Sequence, residues 1–171
     1  MTLLVNIVFL GGYCLATINA NHVNTFLKSA SSVLQNCCML SDIQIGKPYM
    51  RDASFSDNDW VIIIGLTGEL KGQVLICFNR DAALDVAAKM CMTPVTRMDE
   101  MSCSALCELG NMILGNAATL FAAGGIGIDI TPPTLSHGNV EFMNNFTKNL
   151  CVPLLYDGGT KRIEMHLSIK S

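Results

Sequence analysis

Charged side chains are scarce in this sequence. Asp, Glu, Lys and Arg make up 15% of its 171 residues and sum to a net charge of -3. Lys and Arg are scattered, so no basic patch is available to neutralise phosphates, which argues against a nucleic-acid partner. No run of like charge marks a tail or a tether to an anionic membrane. The sequence also lacks GxSxG, HExxH and GxxxxGK[ST] motifs, and "GGIGID" at 124–129 follows a helix where a dinucleotide loop should follow a strand. Low-complexity segments and obvious linkers are missing too. A chain of this length with 50% hydrophobic residues reads most simply as one domain with a substantial core.

Cysteine, by contrast, is plentiful. The eight residues at 14, 37, 38, 77, 91, 103, 107 and 151 sit in apolar segments beside Met, Leu and Ile and read as small core hydrophobes. Free packed thiols fit a reducing cytosol, so a cytoplasmic location is expected. Cys103 and Cys107 lie four apart and Cys37 and Cys38 are adjacent, which raises a soft-metal site. With no CxxC pair, and with His22, His137 and His166 far apart, the usual ligand spacings are missing and no metal is expected.

The first residues, "MTLLVNIVFLGGYCLATINA", are apolar, but no Lys or Arg precedes Lys28, and Asn6 and Gly11-Gly12 interrupt the run from Leu3 to Ala16. A secretory signal needs a positive start and a spanning helix needs about 20 apolar residues. Residues 1–17 are therefore read as an N-terminal extension, either an added strand or short helix or the product of an upstream start codon. Residues 18–171 form the domain, with no membrane partner expected.

From Asn19 the elements are clear. Val23, Phe26, Leu27, Ala30, Val33, Leu34 and Cys37 recur at steps of three and four, giving an amphipathic helix capped by Asn19 or Asn21. "WVIIIGLTG" and "KGQVLICF" are strands, paired antiparallel across Thr67–Gly72. "NRDAALDVAAKMCM" is a short helix with Asn79 or Asp81 near its cap and Thr93-Pro94 at its end. A long helix follows from about Asp99 to Ala123, stopped by Gly124-Gly125. "GIDITPPTLSHG", "CVPLLYDG" and "KRIEMHLSI" are strands, the first bent or edge-placed by Pro132-Pro133. A long helix followed by strands thus occurs twice. The expected fold is α+β: an αβββ unit repeated about a pseudo-two-fold, with an antiparallel or mixed sheet packed against two long helices.

The second long helix is interrupted in a pattern. At 100° per residue Ser104, Glu108, Asn111 and Gly115 fall at 0°, about 40°, about -20° and about 20°, one narrow stripe. Leu106, Leu109, Ile113, Ala117 and Leu120 occupy the far side. A glycine in a helix costs about 1 kcal/mol against alanine, and a merely solvated face would carry long side chains instead. The stripe suits a carboxylate and a carboxamide held at defined depth against a docked partner. A carboxamide is neither base nor nucleophile at neutral pH, but it can donate and accept and so orient a water.

Ser104-x-x-x-Glu108-x-x-Asn111, continuing into "MILGNAA" and followed by the "DITPP" prolines, resembles the active-site signature of the CheC/CheX/FliY phosphatases. "PYMRD", "GLTGELKGQVLICF" and "DITPPTLSHG" are similar to CheX-type members, and the resemblance spans about Ile18 to Ser171. It implies hydrolysis of the phospho-aspartate of a CheY-like response regulator in chemotaxis or two-component signalling. It implies that Glu108 pairs with the receiver's lysine and Asn111 positions the attacking water. Ser104 and Gly115 would serve docking by keeping the helix slim. It implies no cofactor of the chain's own, Mg²⁺ being carried by the receiver, and a homodimer formed through the sheets. CheC-type relatives carry the signature on both helices. Here "SASSVLQNCC" offers Ser29 and Ser32 with no glutamate four residues on, so one site per chain is expected. The same fold could also serve as a non-catalytic module that binds a receiver or a flagellar-switch component.

Overall fold

Asn19 opens the first helix by accepting a hydrogen bond from the Asn21 amide, and α1 then runs from Ala20 to Cys38. This computed structural model describes residues 19–51, 54–141 and 149–170, so the reading of residues 1–17 lies outside the described residues. Val23, Phe26, Leu27, Ala30, Val33 and Leu34 are all buried, as their spacing requires. In the last turn Cys38, not Cys37, is the buried thiol. Asn79 rather than Asp81 caps α2 (Arg80–Cys91) by accepting from the Ala82 amide. Asp99 caps α3 (Glu100–Ala123), which ends at Gly124 before Gly125 turns the chain with φ 81°.

Ten strands accompany these helices among the described residues: β1 (Gln44–Ile45), β2 (Tyr49–Arg51), β3 (Ser54–Phe55), β4 (Asp59–Gly68), β5 (Lys71–Asn79), β6 (Ile128–Ile130), β7 (Thr134–His137), β8 (Val140–Glu141), β9 (Asn149–Tyr156) and β10 (Lys161–Lys170). The main sheet runs β1-β9-β10-β5-β4-β6, with β2 also on β9 and β7 also on β4. Every pairing is antiparallel. The two hairpins meet at the centre, where Phe78 faces Ile163 and Lys71 faces Lys170.

The pseudo-two-fold lies in this order. Each long helix is followed by an interrupted edge strand and then by a hairpin. The edge after α1 pairs with β9 of the second half, and the edge after α3 pairs with β4 of the first half. That exchange joins the halves into one sheet. β1 and β2 are too short to announce themselves in sequence, being split by Gly46-Lys47-Pro48. β3 and β8 form a separate two-stranded ribbon. The expected α+β class and the two long helices are observed, with α2 as a shorter third helix.

One face of the sheet carries Ile62, Ile64, Val74, Ile76, Phe78, Met165 and Leu167 against the helices, in a single core. α3 is long and apolar enough to cross a membrane by length and composition alone. Its apolar arc is instead occupied by α1, α2 and the sheet. That arc holds Leu106, Leu109, Ile113 and Ala117 as expected, with Ser102, Gly110, Leu114 and Phe121 added, while Leu120 is only half-buried. Gly110 is a point of close approach. A Cβ there would lie 2.8 Å from Ile62 Cγ2, on a β-branched side chain that is itself fully buried and has nowhere to go.

On the opposite face Glu164, His166 and Ser168 are buried. Tyr49 donates to Glu164 at 2.6 Å, and Glu164 Oε2 lies 3.2 Å from His166 Nε2, whose Nδ1 is 3.2 Å from Cys151 Sγ. Burial by itself would raise the Glu164 carboxyl. The hydrogen bonds from His166 and Tyr49 and the charge of Arg162 outweigh it and hold the group at about 2. Near the other edge Trp60 stacks on His137, centroids 3.9 Å apart.

Two outcomes follow from this packing. Gly110→Ala should lower the denaturation midpoint, because overpacking costs about 1–3 kcal/mol against roughly 1 kcal/mol of helix propensity gained. Gly115→Ala, where an added Cβ meets nothing within 4 Å, should raise it. The second concerns acid. A carboxyl depressed from 4.5 to about 2 stabilises the fold above its unfolded value, and that stability is lost as pH falls between the two. The denaturant midpoint of the native chain should therefore decline across this window, and Glu164→Gln should flatten the decline.

Candidate functional site

The site is set by how α3 is held. Asp99 accepts from the Ser102 amide at 2.9 Å and from the Ser102 hydroxyl at 2.7 Å, satisfying the start of the helix. Those bonds, the amide's first, hold the Asp99 carboxyl below its ordinary value. Midway, Ser29 of α1 donates to the Ile113 carbonyl at 2.6 Å, and Asn116 Nδ2 donates to Ser29 Oγ at 3.1 Å. These two bonds, the first of them buried, fix both the height and the rotation of α3 together with the Gly110 contact on the sheet. In sequence Ser29 stands in a segment that lacks the glutamate of a second signature. Its role is to lock the helices together.

With the rotation fixed, Ser104, Glu108 and Asn111 are exposed and Gly115 is half-buried. No hydrogen bond or ion pair to another described residue engages the side chain of Glu108 or Asn111. Ser104, Glu108 and Asn111 form one wall of an open groove of about 590 Å³, together with Glu100, Cys103 and Cys107. The opposite wall is Ile130, at the end of β6, with Thr131, Pro132 and Pro133, which link β6 to β7. Gly115 lies outside the groove lining, one turn beyond Asn111, with open space above it.

Three of the four sequence-derived site residues thus share one groove and the fourth extends its rim. Glu100, Cys103 and Cys107 were not singled out for this role, although their spacing of three and four places them beside the stripe. Ile130 and Thr131 could not be placed by periodicity, since they reach the groove through strand pairing. Both groove thiols are pushed above their ordinary value by burial, so they are protonated at neutral pH and poor nucleophiles. The reading of all cysteines as core needs correction, because Cys37, Cys91, Cys103 and Cys107 are only partly buried. Each lies at the edge of a helix's apolar arc, where the wheel does not separate core from margin. Among the described residues no three of His, Cys, Asp and Glu come together as metal ligands.

The groove therefore offers two carboxylates, a carboxamide and a hydroxyl on a rigid helix facing a stiff proline wall. Such a surface can orient and bind, but it presents no activated nucleophile.

A family model described as chemotaxis phosphatase CheX matches residues 60–153, a span holding α3 and both walls of the groove. The chain is 30% identical over 155 residues to the CheY-P phosphatase CheX of Thermotoga maritima, covering 90% of this chain and 99% of that one. It is similar to CheX in the crystal structure of a CheX–CheY–BeF3–Mg²⁺ complex from Borrelia burgdorferi, with 33% identity, a TM-score of 0.75, and 88% and 98% of the two chains covered. A CheC-like superfamily protein from Shewanella sp. PV-4 superposes with a TM-score of 0.76 at 25% identity, over 90% of this chain and all of that one. The order of elements, the groove beside α3 and these likenesses agree, and the chain belongs to the chemotaxis phosphatase CheX family.

Proposed function

We propose that this chain hydrolyses the aspartyl phosphate of a CheY-like receiver in the cytoplasm, with α3 entering the receiver's active site. The observation that carries the reading is the pairing of Glu108 and Asn111 on one exposed, rigid stripe, with neither side chain engaged by another described residue. The Borrelia complex, in which a CheX similar to this chain is joined to CheY with BeF3 and Mg²⁺, supports a receiver as partner.

An aspartyl phosphate is an activated acyl phosphate, so the enzyme's task is to align a water in line with the scissile bond. Asn111 performs this by accepting a hydrogen bond from the water through its carboxamide oxygen. Glu108 pairs with the receiver's active-site lysine, which anchors the helix in register. Ser104 and Gly115 let the helix approach closely, because neither adds bulk to the face. The metal belongs to the receiver, and this chain's own groups bind, orient and exclude solvent. A homodimer joined through the sheets is part of the same reading.

Phosphate release from phosphorylated CheY-type receivers tests the proposal. Asn111→Ala should lower kcat about 100-fold with little change in KM, since misaligned water costs about that factor. Glu108→Ala should raise KM about ten-fold, as a lost anchoring pair, and Glu108→Lys further. Both variants should keep the native denaturation midpoint, because both side chains face outward. Gly115→Ala should raise KM while stabilising the fold. Binding of a receiver without any turnover would leave a docking module and overturn the phosphatase reading.

A further inference from the structure

Strand β4 is continuous from Asp59 to Gly68, but the strand beside it is not. β6 pairs as far as Ile130 opposite Leu66, and β7 resumes at Thr134 opposite Ile63. Two residues of β4, Ile64 and Gly65, therefore face three, Thr131, Pro132 and Pro133. Neither proline has an N–H to give to the ladder. At Gly65 the ladder is completed by a side chain. The Thr131 amide donates to the Gly65 carbonyl at 3.0 Å, and the Gly65 amide donates to Thr131 Oγ1 at 2.8 Å. A regular antiparallel pair would take that second acceptor from the main chain. Here the hydroxyl supplies it, and the main chain after Thr131 is released from the ladder to form the groove wall facing Glu108 and Asn111.

Glycine at 65 belongs to the same device. A Cβ there would lie 3.0 Å from Thr131 Cγ2 and 3.2 Å from Thr131 Oγ1, so a side chain would press the clamp open. Gly65 itself is outside the groove lining, which separates holding the wall from touching a partner.

We infer that Thr131 and Gly65 are positioning residues that set the proline wall at a fixed distance from α3, so that a docked receiver is held from both sides with Asn111 in line with its phosphate. The inference rests on the receiver-phosphatase reading for its catalytic consequence, and on the chain alone for the clamp. Because α3 supplies the docking pair, loosening the wall should disturb alignment more than affinity.

The test uses Thr131→Val, which keeps the shape and removes the acceptor, Thr131→Ser, which keeps the acceptor, and Gly65→Ala. In the isolated chain, hydrogen exchange at the Gly65 amide, read by NMR, should accelerate at least ten-fold in Thr131→Val and stay near native in Thr131→Ser. With a phosphorylated receiver, Thr131→Val and Gly65→Ala should each lower kcat about ten-fold with KM within about two-fold, and Thr131→Ser should restore kcat. Unchanged Gly65 exchange in Thr131→Val overturns the clamp. Faster exchange with unchanged kcat, or a change confined to KM, overturns its positioning role, as does a fully active Gly65→Ala beside an inactive Thr131→Val, which would make Thr131 a direct receiver contact. A native chain without turnover overturns the phosphatase reading and the catalytic consequence with it, while Gly65 exchange still decides the clamp.

Discussion

The rotation of α3 about its own axis is the constraint on which everything at the site depends. A turn of one residue step, about 100°, would bury Glu108 or Asn111 among the apolar side chains of the core. Three contacts prevent it: the Ser29 hydroxyl on the Ile113 carbonyl, the bond from Asn116 to that hydroxyl, and the approach of Gly110 to Ile62. The first is between polar groups sealed from water, where an unmade hydrogen bond is costly, so it discriminates sharply between alternative helix orientations. The last is steric and works through the missing side chain. Together they convert a sequence pattern of three and four into a surface of defined direction.

The sheet brings the second wall to that surface. Because the edge strand following α3 lands on the hairpin of the first half, the groove is assembled from two separate segments of the chain and anchored to a strand from the other half. The turn leading into β6 is tied in the same way, with Glu69 accepting from the Gly127 amide at 2.7 Å and donating its own amide to the Gly127 carbonyl. The pseudo-two-fold architecture thus serves the groove directly. It makes both halves necessary for one site.

Much of this was legible in the residues. The helices declared themselves by caps and periodicity, and the β4–β5 hairpin by its β-branched runs. The stripe through Ser104, Glu108, Asn111 and Gly115 followed from helical geometry before any coordinates. What escaped has a common cause. β1 and β2 are two and three residues long, below the length at which alternation can be seen, and they exist because β9 supplies a partner. Cys38 is more deeply buried than Cys37 because it stands one turn on from Leu34, on the same side of α1, while Cys37 packs at the core's margin. Ser29, Gly110 and Thr131 matter through contacts across 84, 48 and 66 positions of sequence, and no local pattern encodes such partners.

The stack of Trp60 on His137 has a practical side. Trp60 is the sole tryptophan of the chain, and it lies on β4 while the imidazole lies on β7, beyond the proline break from Gly65. The His137 ring is also tethered, its Nδ1 being 3.0 Å from the Asp59 carbonyl. The indole therefore looks across the seam between β4 and β7, the strand that leaves the groove wall. The protein carries its own optical gauge of that seam, usable without any label.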